Sequence, residues 1–169
     1  MNHINIQYYN SKIGELILGS FEHKLCLLDF KNRKNRASID NRIKTALKSK
    51  YIERDCEILK QTKKQICSYL MGTIKTFDIP LLIIGTEFQK NVWNELTKIP
   101  YGETSTYLQT AKNIGNEKAV RAVANAIGAN PLNIIIPCHR IIGKNGALVG
   151  YSGRIPAKKH LLGLEHTLS

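Results

Sequence analysis

Acidic residues are scarce in this chain: 13 aspartates and glutamates face 25 lysines and arginines, a formal net charge of +12 over 169 residues. That imbalance disfavours cationic partners and favours polyanions, of which nucleic acid is the commonest soluble one. Long apolar runs are missing too. No aliphatic stretch approaches the ~20 residues that span a bilayer, although a hydrophobic fraction of 43% suits an ordinary core. The start, Met1-Asn2-His3-Ile4-Asn5, has neither the basic lead nor the apolar segment of a secretory signal. The four cysteines, Cys26, Cys56, Cys67 and Cys138, are widely spread and include no Cys-x-x-Cys pair. These absences predict a cytoplasmic location, no membrane contact, and free thiols in place of a disulfide framework. Aromatics are thin, and none interleaves the basic residues Lys31, Arg33, Lys34, Arg36, Arg42, Lys44, Lys48 and Lys50. The segment therefore reads more simply as a solvated loop and helix face than as a base-stacking surface.

What is present falls into two halves. Residues 4–9, 14–19 and 24–30 are rich in strand formers, with turns at Gly14 and around Phe21-Glu22-His23. Ile58, Ile66, Tyr69 and Leu70 recur at helical spacing over 57–71, and Asp78-Ile79-Pro80 breaks the pattern. Nothing in this half suggests chemistry, so Cys26, Cys56 and Cys67 read as buried or structural thiols. The second half is mainly helical. Thr86-Glu87-Phe88-Gln89 and Thr106-Tyr107-Leu108-Gln109 have the capping-box form. Phe88, Val92, Trp93 and Leu96 follow the first at helical spacing, with Trp93 as a core anchor. After Gly115, Asn116 is placed to cap a helix whose apolar face is Ala119, Val120, Val123, Ala124 and Ile127. Two helices joined by a tight glycine turn form a helix-turn-helix pattern, which serves DNA binders and plain bundles alike.

Pro137-Cys138-His139-Arg140 is the stretch that carries chemistry. It lies between Ile134-Ile135-Ile136 and Ile141-Ile142, so a nucleophile and a base sit inside an otherwise buried segment. A thiol becomes a strong nucleophile only as the thiolate, and a neighbouring base promotes that ionisation. A turn at Pro137 would bring both side chains to one side. A small buried cysteine beside a hydrogen-bonded histidine fits the same four residues.

The order of the remaining motifs is more specific. Asn130-Pro131 precedes this stretch, and Gly150-Tyr151-Ser152-Gly153 and Leu161-Leu162-Gly163-Leu164-Glu165 follow it. From about Thr86 to Glu165 the chain resembles the O⁶-alkylguanine-DNA alkyltransferase family, proteins that repair alkylated DNA directly and are consumed in doing so. The resemblance implies an α+β fold. A small N-terminal antiparallel β-sheet with helices, RNase H-like, would occupy residues 1–80. A mainly helical C-terminal domain with the helix-turn-helix would occupy residues 81–169 and carry both DNA binding and the active site.

It also implies roles. Cys138 would accept the alkyl group from O⁶-alkylguanine, and O⁴-alkylthymine is a further substrate left open. His139 would draw the thiol proton through a water, Glu165 would hold the imidazolium, and Tyr107 would donate to the departing base. Arg121 would fill the gap left by a flipped nucleotide, with Ala122 and Ala126 allowing close approach to the minor groove and Asn130 acting as a hinge. Arg140 is assigned to the DNA-binding set. Ile127, Ile141, Tyr151, Ser152, Gly153 and Lys158 would line or support the pocket, with the Ile141 carbonyl receiving the exocyclic amine. The partner would be alkylated double-stranded DNA bound by a monomer. A non-catalytic damage-recognition module is the alternative, against which Cys138 weighs heavily.

The chain departs from the family in two places. Some relatives hold zinc in the N-terminal half, whereas the corresponding positions here include Asn2, Phe21 and Cys26, which cannot complete a four-ligand set. No metal and no cofactor are expected. Ser152-Gly153-Arg154 stands where many relatives carry a tryptophan, which predicts a roomier pocket.

Overall fold

Three strands form by reversing at the two expected turns. β1 (Ile4–Ser11), β2 (Gly14–Phe21) and β3 (Lys24–Phe30) pair antiparallel in chain order. Glu22 and His23 close the second hairpin with φ of 49° and 66°, the positive pair of a two-residue turn that follows the strand twist. The computed structural model of the chain describes residues 2–151 and 154–168.

The sheet is mixed, not wholly antiparallel as expected. α1 (Arg36–Leu47) carries the chain across, and β4 (Tyr51–Glu53) then lies parallel to β1, giving the order β3-β2-β1-β4. A parallel neighbour requires such a crossover. Basic residues disguise α1 in the sequence, yet Ile39 and Ile43, one turn apart, are buried. They pack with Ile4, Ile6, Ile17 and Leu27 on one face of the sheet. Leu16, Leu18, Leu28 and Phe30 face the other way. There they meet α2 (Glu57–Leu70) and the second half of the chain in the larger core. Cys67 is exposed and Cys56 half-buried, so of the three N-terminal thiols only Cys26 is a core residue.

The second half runs α3 (Glu87–Thr97), β5 (Ser105–Thr106), α4 (Tyr107–Asn113), α5 (Val120–Gly128), β6 (Ile141–Ile142) and α6 (Arg154–Leu168). The capping box at Thr86 is complete: its hydroxyl accepts from the Gln89 amide at 3.1 Å, and the Gln89 side chain accepts from the Thr86 amide at 2.9 Å. The Thr106 box is only half made, because the Gln109 side chain turns to Asn113. Asn116 contributes no side-chain cap; a 3-10 turn over Glu117–Ala119 starts α5 instead. Phe88 is 37% exposed, off the buried stripe of Val92, Trp93 and Leu96.

One edge joins the halves. On β3, the Leu28 amide donates to the Pro131 carbonyl and the Leu28 carbonyl accepts from the Asn133 amide, both at 2.8 Å. The loop after α5 is thereby seated on the N-terminal sheet. Trp93 fastens α3 to α5, its Nε1–H donating to the Ala126 carbonyl at 2.8 Å. Trp93→Phe removes that donor from a site 1% exposed and leaves a void. A loss of about 2 kcal/mol is expected, read as a lower urea midpoint with an unchanged m-value.

Candidate active site

The loop from Asn130 to Pro137 is shaped by two side chains and two tight turns. Asn130 is buried; its Oδ1 accepts from the Leu132 amide and its Nδ2 donates to the Ile136 carbonyl, both at 2.9 Å. Ile134 takes φ of 74°, a costly conformation for a β-branched residue, held by the Ile135 amide donating to the Asn133 carbonyl. Pro137 has φ of −80° and ψ of 65°, and the Cys138 amide donates back to the Ile136 carbonyl at 2.8 Å. That is an inverse γ-turn. It sends the chain into a 3-10 turn over Cys138–Arg140, the reversal expected at Pro137.

Cys138 lies at the wall of a groove of about 670 Å³. Tyr107, Ile127, Gly150 and Tyr151 share that lining, while Arg33, Lys34 and Arg42 come from the N-terminal half. The thiol is 4% exposed and donates to Asn133 Oδ1 at 3.1 Å. Burial pushes it up to about 11. The Tyr107 hydroxyl, raised by burial, is 3.4 Å from the Val149 carbonyl.

Behind the cysteine, Glu165 on α6 gathers donors from α2 and from the 3-10 turn. His139 Nε2 is 2.6 Å from Oε2, Arg140 Nε is 2.8 Å from Oε1 and its Nη2 3.0 Å from Oε2, and the Tyr69 hydroxyl donates to Oε2. Burial would raise this carboxyl, but the donors around it take it down to about 2. Burial lowers His139, so the imidazole is neutral at rest. An ionised carboxylate accepts, so Nε2 carries the hydrogen and Nδ1 the lone pair. Nδ1 is buried with no hydrogen-bond partner among the described residues. The arrangement is a poised base whose tautomer the carboxylate selects.

The other expected residues divide. Arg121 and Ala122 are exposed on α5. Ala126 is not: the helical period turns it inward with Val123 and Ile127, so it cannot touch a groove-bound partner. Asn130 is committed to the loop and makes no outward contact. Arg140 is also withdrawn from the DNA-facing set, since its guanidinium is spent on Glu165 and, at 2.7 Å, the Ile99 carbonyl. Lys158 is buried and donates to the carbonyls of Ile141 and Val149, supporting the pocket from behind. The Ile141 carbonyl thus already has one donor. Ser152 and Gly153 lie outside the described residues.

Three contributors were not singled out by the sequence reading. Tyr69 reads as one more apolar position of α2. Asp29 sits in a strand run, yet it is fully buried and bonded to Arg33 and Arg36. Asn133 left a signal, a lone amide between Leu132 and the isoleucines.

Known proteins define the class. Residues 4–83 match the family model described as 6-O-methylguanine DNA methyltransferase, ribonuclease-like domain, and residues 87–167 match its DNA binding domain. The methylated-DNA–protein-cysteine methyltransferase of Methanosarcina acetivorans is 43% identical over 157 residues, covering 93% of this chain and 95% of its own. That of Haemophilus influenzae is 39% identical over 160 residues, 94% of this chain and 84% of its own. Among solved structures, Mycobacterium tuberculosis O6-methylguanine methyltransferase superposes with a TM-score of 0.80 at 36% identity, covering 100% of this chain and 95% of that one. The same organism's OGT in complex with DNA gives 0.82 at 35% identity, over 98% and 94%. The chain belongs to the 6-O-methylguanine DNA methyltransferase family.

Removing the carboxylate tests the electrostatics. Glu165 is depressed in the folded state, so its ionisation stabilises the fold above the ordinary glutamate range, and that benefit is lost as pH falls towards about 2. Glu165→Gln should be less stable than wild type by about 3 kcal/mol at neutral pH. The gap should close between about pH 4.5 and pH 2. Parallel stability curves across that window would contradict the assignment.

Proposed function

We propose that this protein repairs DNA by moving the alkyl group from O⁶ of guanine to Cys138 Sγ, once per molecule. The observation that carries the reading is the placement of Cys138 on the groove wall, next in the chain to a buried imidazole whose tautomer Glu165 fixes. The thiol proton passes to His139 Nδ1 through a water. Sγ attacks the saturated carbon, the carbon–oxygen bond breaks, and its electron pair returns to the guanine. Tyr107 supplies a proton to the departing base, which leaves neutral. A thioether remains on Cys138. Because a thioether is a poor leaving group, the protein is spent. The acceptor thiol itself argues against a recognition module without chemistry.

The alkylated base lies within the duplex stack, so it must be rotated out to reach the groove. The outward face of α5, with Arg121 and Ala122, is the surface offered to the minor groove, and Arg121 takes the space of the flipped nucleotide. The net charge of +12 supports a polyanionic partner. A monomer suffices, since one chain supplies the thiol, base and carboxylate. Among the described residues no helix is long and apolar enough to cross a membrane, and we place the protein in the cytoplasm with its substrate.

Intact-mass analysis after incubation with O⁶-methylguanine duplex decides the reading. The protein should gain one methyl group on Cys138 and stop at one equivalent under excess DNA. Cys138→Ser should lose transfer by a factor of at least about 10³ while still binding DNA. Multiple turnovers, or methylation elsewhere, would overturn it. Arg121→Ala should slow repair of duplex DNA more than reaction with a free alkylated guanine base; equal losses on both would remove the flipping role.

A further inference from the structure

The outward stripe of α5 ends without a side chain. Arg121, Asn125 and Gly128 follow one another at helical spacing and are all exposed. A Cβ at Gly128 would meet nothing within 4 Å, so the space beside the last turn is open. The N-terminal half borders that space. Arg33 Nη2 donates to the Gly128 carbonyl at 2.6 Å, which fixes the loop between β3 and α1 against the end of α5. Arg33 is also paired with Asp29, and Arg36 with Asp29 and Asp40, so both charges are already met. Lys34, between them in the chain, differs. It is exposed and lines the groove, and its ammonium makes no hydrogen bond or ion pair among the described residues. Asn35 and Ser38 are exposed on the same wall, and no carboxylate among the described residues lines the groove.

We infer that Lys34, with Asn35 and Ser38 beside it, holds the sugar–phosphate backbone of the DNA strand that passes the end of α5, so that the N-terminal half takes part in DNA binding directly. An ammonium, an amide and a hydroxyl side by side are donors suited to phosphate oxygens, and such contacts fix position without reading sequence. The two ends of the groove differ in the same sense. Near Cys138 it is lined by Tyr107, Ile127 and Tyr151, aromatic and apolar surfaces suited to a base. Its other end is polar and cationic. A nucleotide rotated out of the duplex brings its flanking phosphates with it. With Arg121 and Ala122 against the minor groove, the backbone beside the flipped nucleotide follows the stripe to Gly128, where the helix offers it no side chain. Lys34 supplies the missing cation from across the junction of the two halves. The inference rests on reading α5 as the helix that meets DNA.

The test is the salt dependence of duplex binding, measured in Cys138→Ser so that no transfer intervenes. Each cation that meets a phosphate adds about 0.9 to the steepness of log affinity against log salt. Lys34→Ala should make the slope shallower by about that amount and weaken binding most at low salt. Lys60→Ala removes an exposed charge on α2, outside the groove, and should leave the slope as it is. Gly128→Lys added to Lys34→Ala should restore the slope, because it returns a cation to the same space from the helix side. A slope unchanged by Lys34→Ala, or reduced equally by Lys60→Ala, would overturn the inference, as would failure of Gly128→Lys to restore it. Methyl transfer from duplex DNA to wild-type Cys138, measured alongside, tests the function by itself. Transfer together with an unchanged slope in Lys34→Ala leaves the function standing and removes this contact.

Discussion

The Glu165 carboxylate is the constraint on which the site depends. A fully buried charge is stable only when its acceptor positions are filled, and here Tyr69 from α2, His139 and Arg140 fill them. Four consequences follow from that one requirement. The C-terminal helix is pinned to the N-terminal half through Tyr69. The 3-10 turn carrying Cys138 is held from behind. Arg140, which looks like a DNA contact in the sequence, is withdrawn from the surface. The imidazole tautomer is chosen, leaving Nδ1 as the free lone pair. Structure and chemistry share the same hydrogen bonds, so no part of the cluster can change alone.

The N-terminal half supplies more than a scaffold. β3 offers its edge to the loop of Pro131–Asn133, and Asp29 on that strand anchors Asn133. Arg33 reaches the Gly128 carbonyl at 2.6 Å and Arg42 the Ala129 carbonyl at 2.7 Å, both at the C-terminal end of α5. Cations at that end of a helix meet its partial negative charge. The basic segment, expected as a solvated face, is therefore partly consumed in holding the helix that leads into the active loop. Lys34 lines the groove beside them, while Lys31 pairs with Glu15 and Arg36 with Asp29 and Asp40.

Local physics explains which features were legible. The hairpins, the Thr86 capping box, the glycine turn before α5 and the Pro137 reversal each depend on a few adjacent residues, and each is readable from them. Cys138 and His139 are legible as an adjacent nucleophile and base within an apolar run, whereas Glu165 is reached only through motif order, since 26 residues separate it from His139 and no periodicity predicts their contact. α1 was obscured because its apolar side is only Ile39 and Ile43 among many charges. The parallel β4 depends on where α1 delivers the chain, which three residues of strand do not encode. Ala126 was misplaced because small size suits both close approach to DNA and close packing beneath Trp93. Tyr69 and Asp29 were invisible for a different reason: their partners lie 96 and 104 residues away.

The two ionisable groups at the centre move in opposite senses from those of a ready-made ion pair. Burial raises Cys138 and lowers His139, so both rest neutral. In a dry site a thiolate–imidazolium pair would have to recover the desolvation of two charges, which attraction at close range does not reliably do. Glu165 changes that balance for the imidazolium only, because its negative charge is already fully solvated by protein donors. In the mechanism we propose, proton transfer to His139 creates a stabilised cation and leaves the sulfur as the one poorly solvated ion. A poorly solvated thiolate is a potent nucleophile towards saturated carbon, and forming the sulfur–carbon bond removes its charge. In the proposed transfer, loss of the thiol proton is coupled to the sulfur–carbon bond that consumes the resulting charge, so the cost of an ion in a buried site is met only where an alkyl carbon is present.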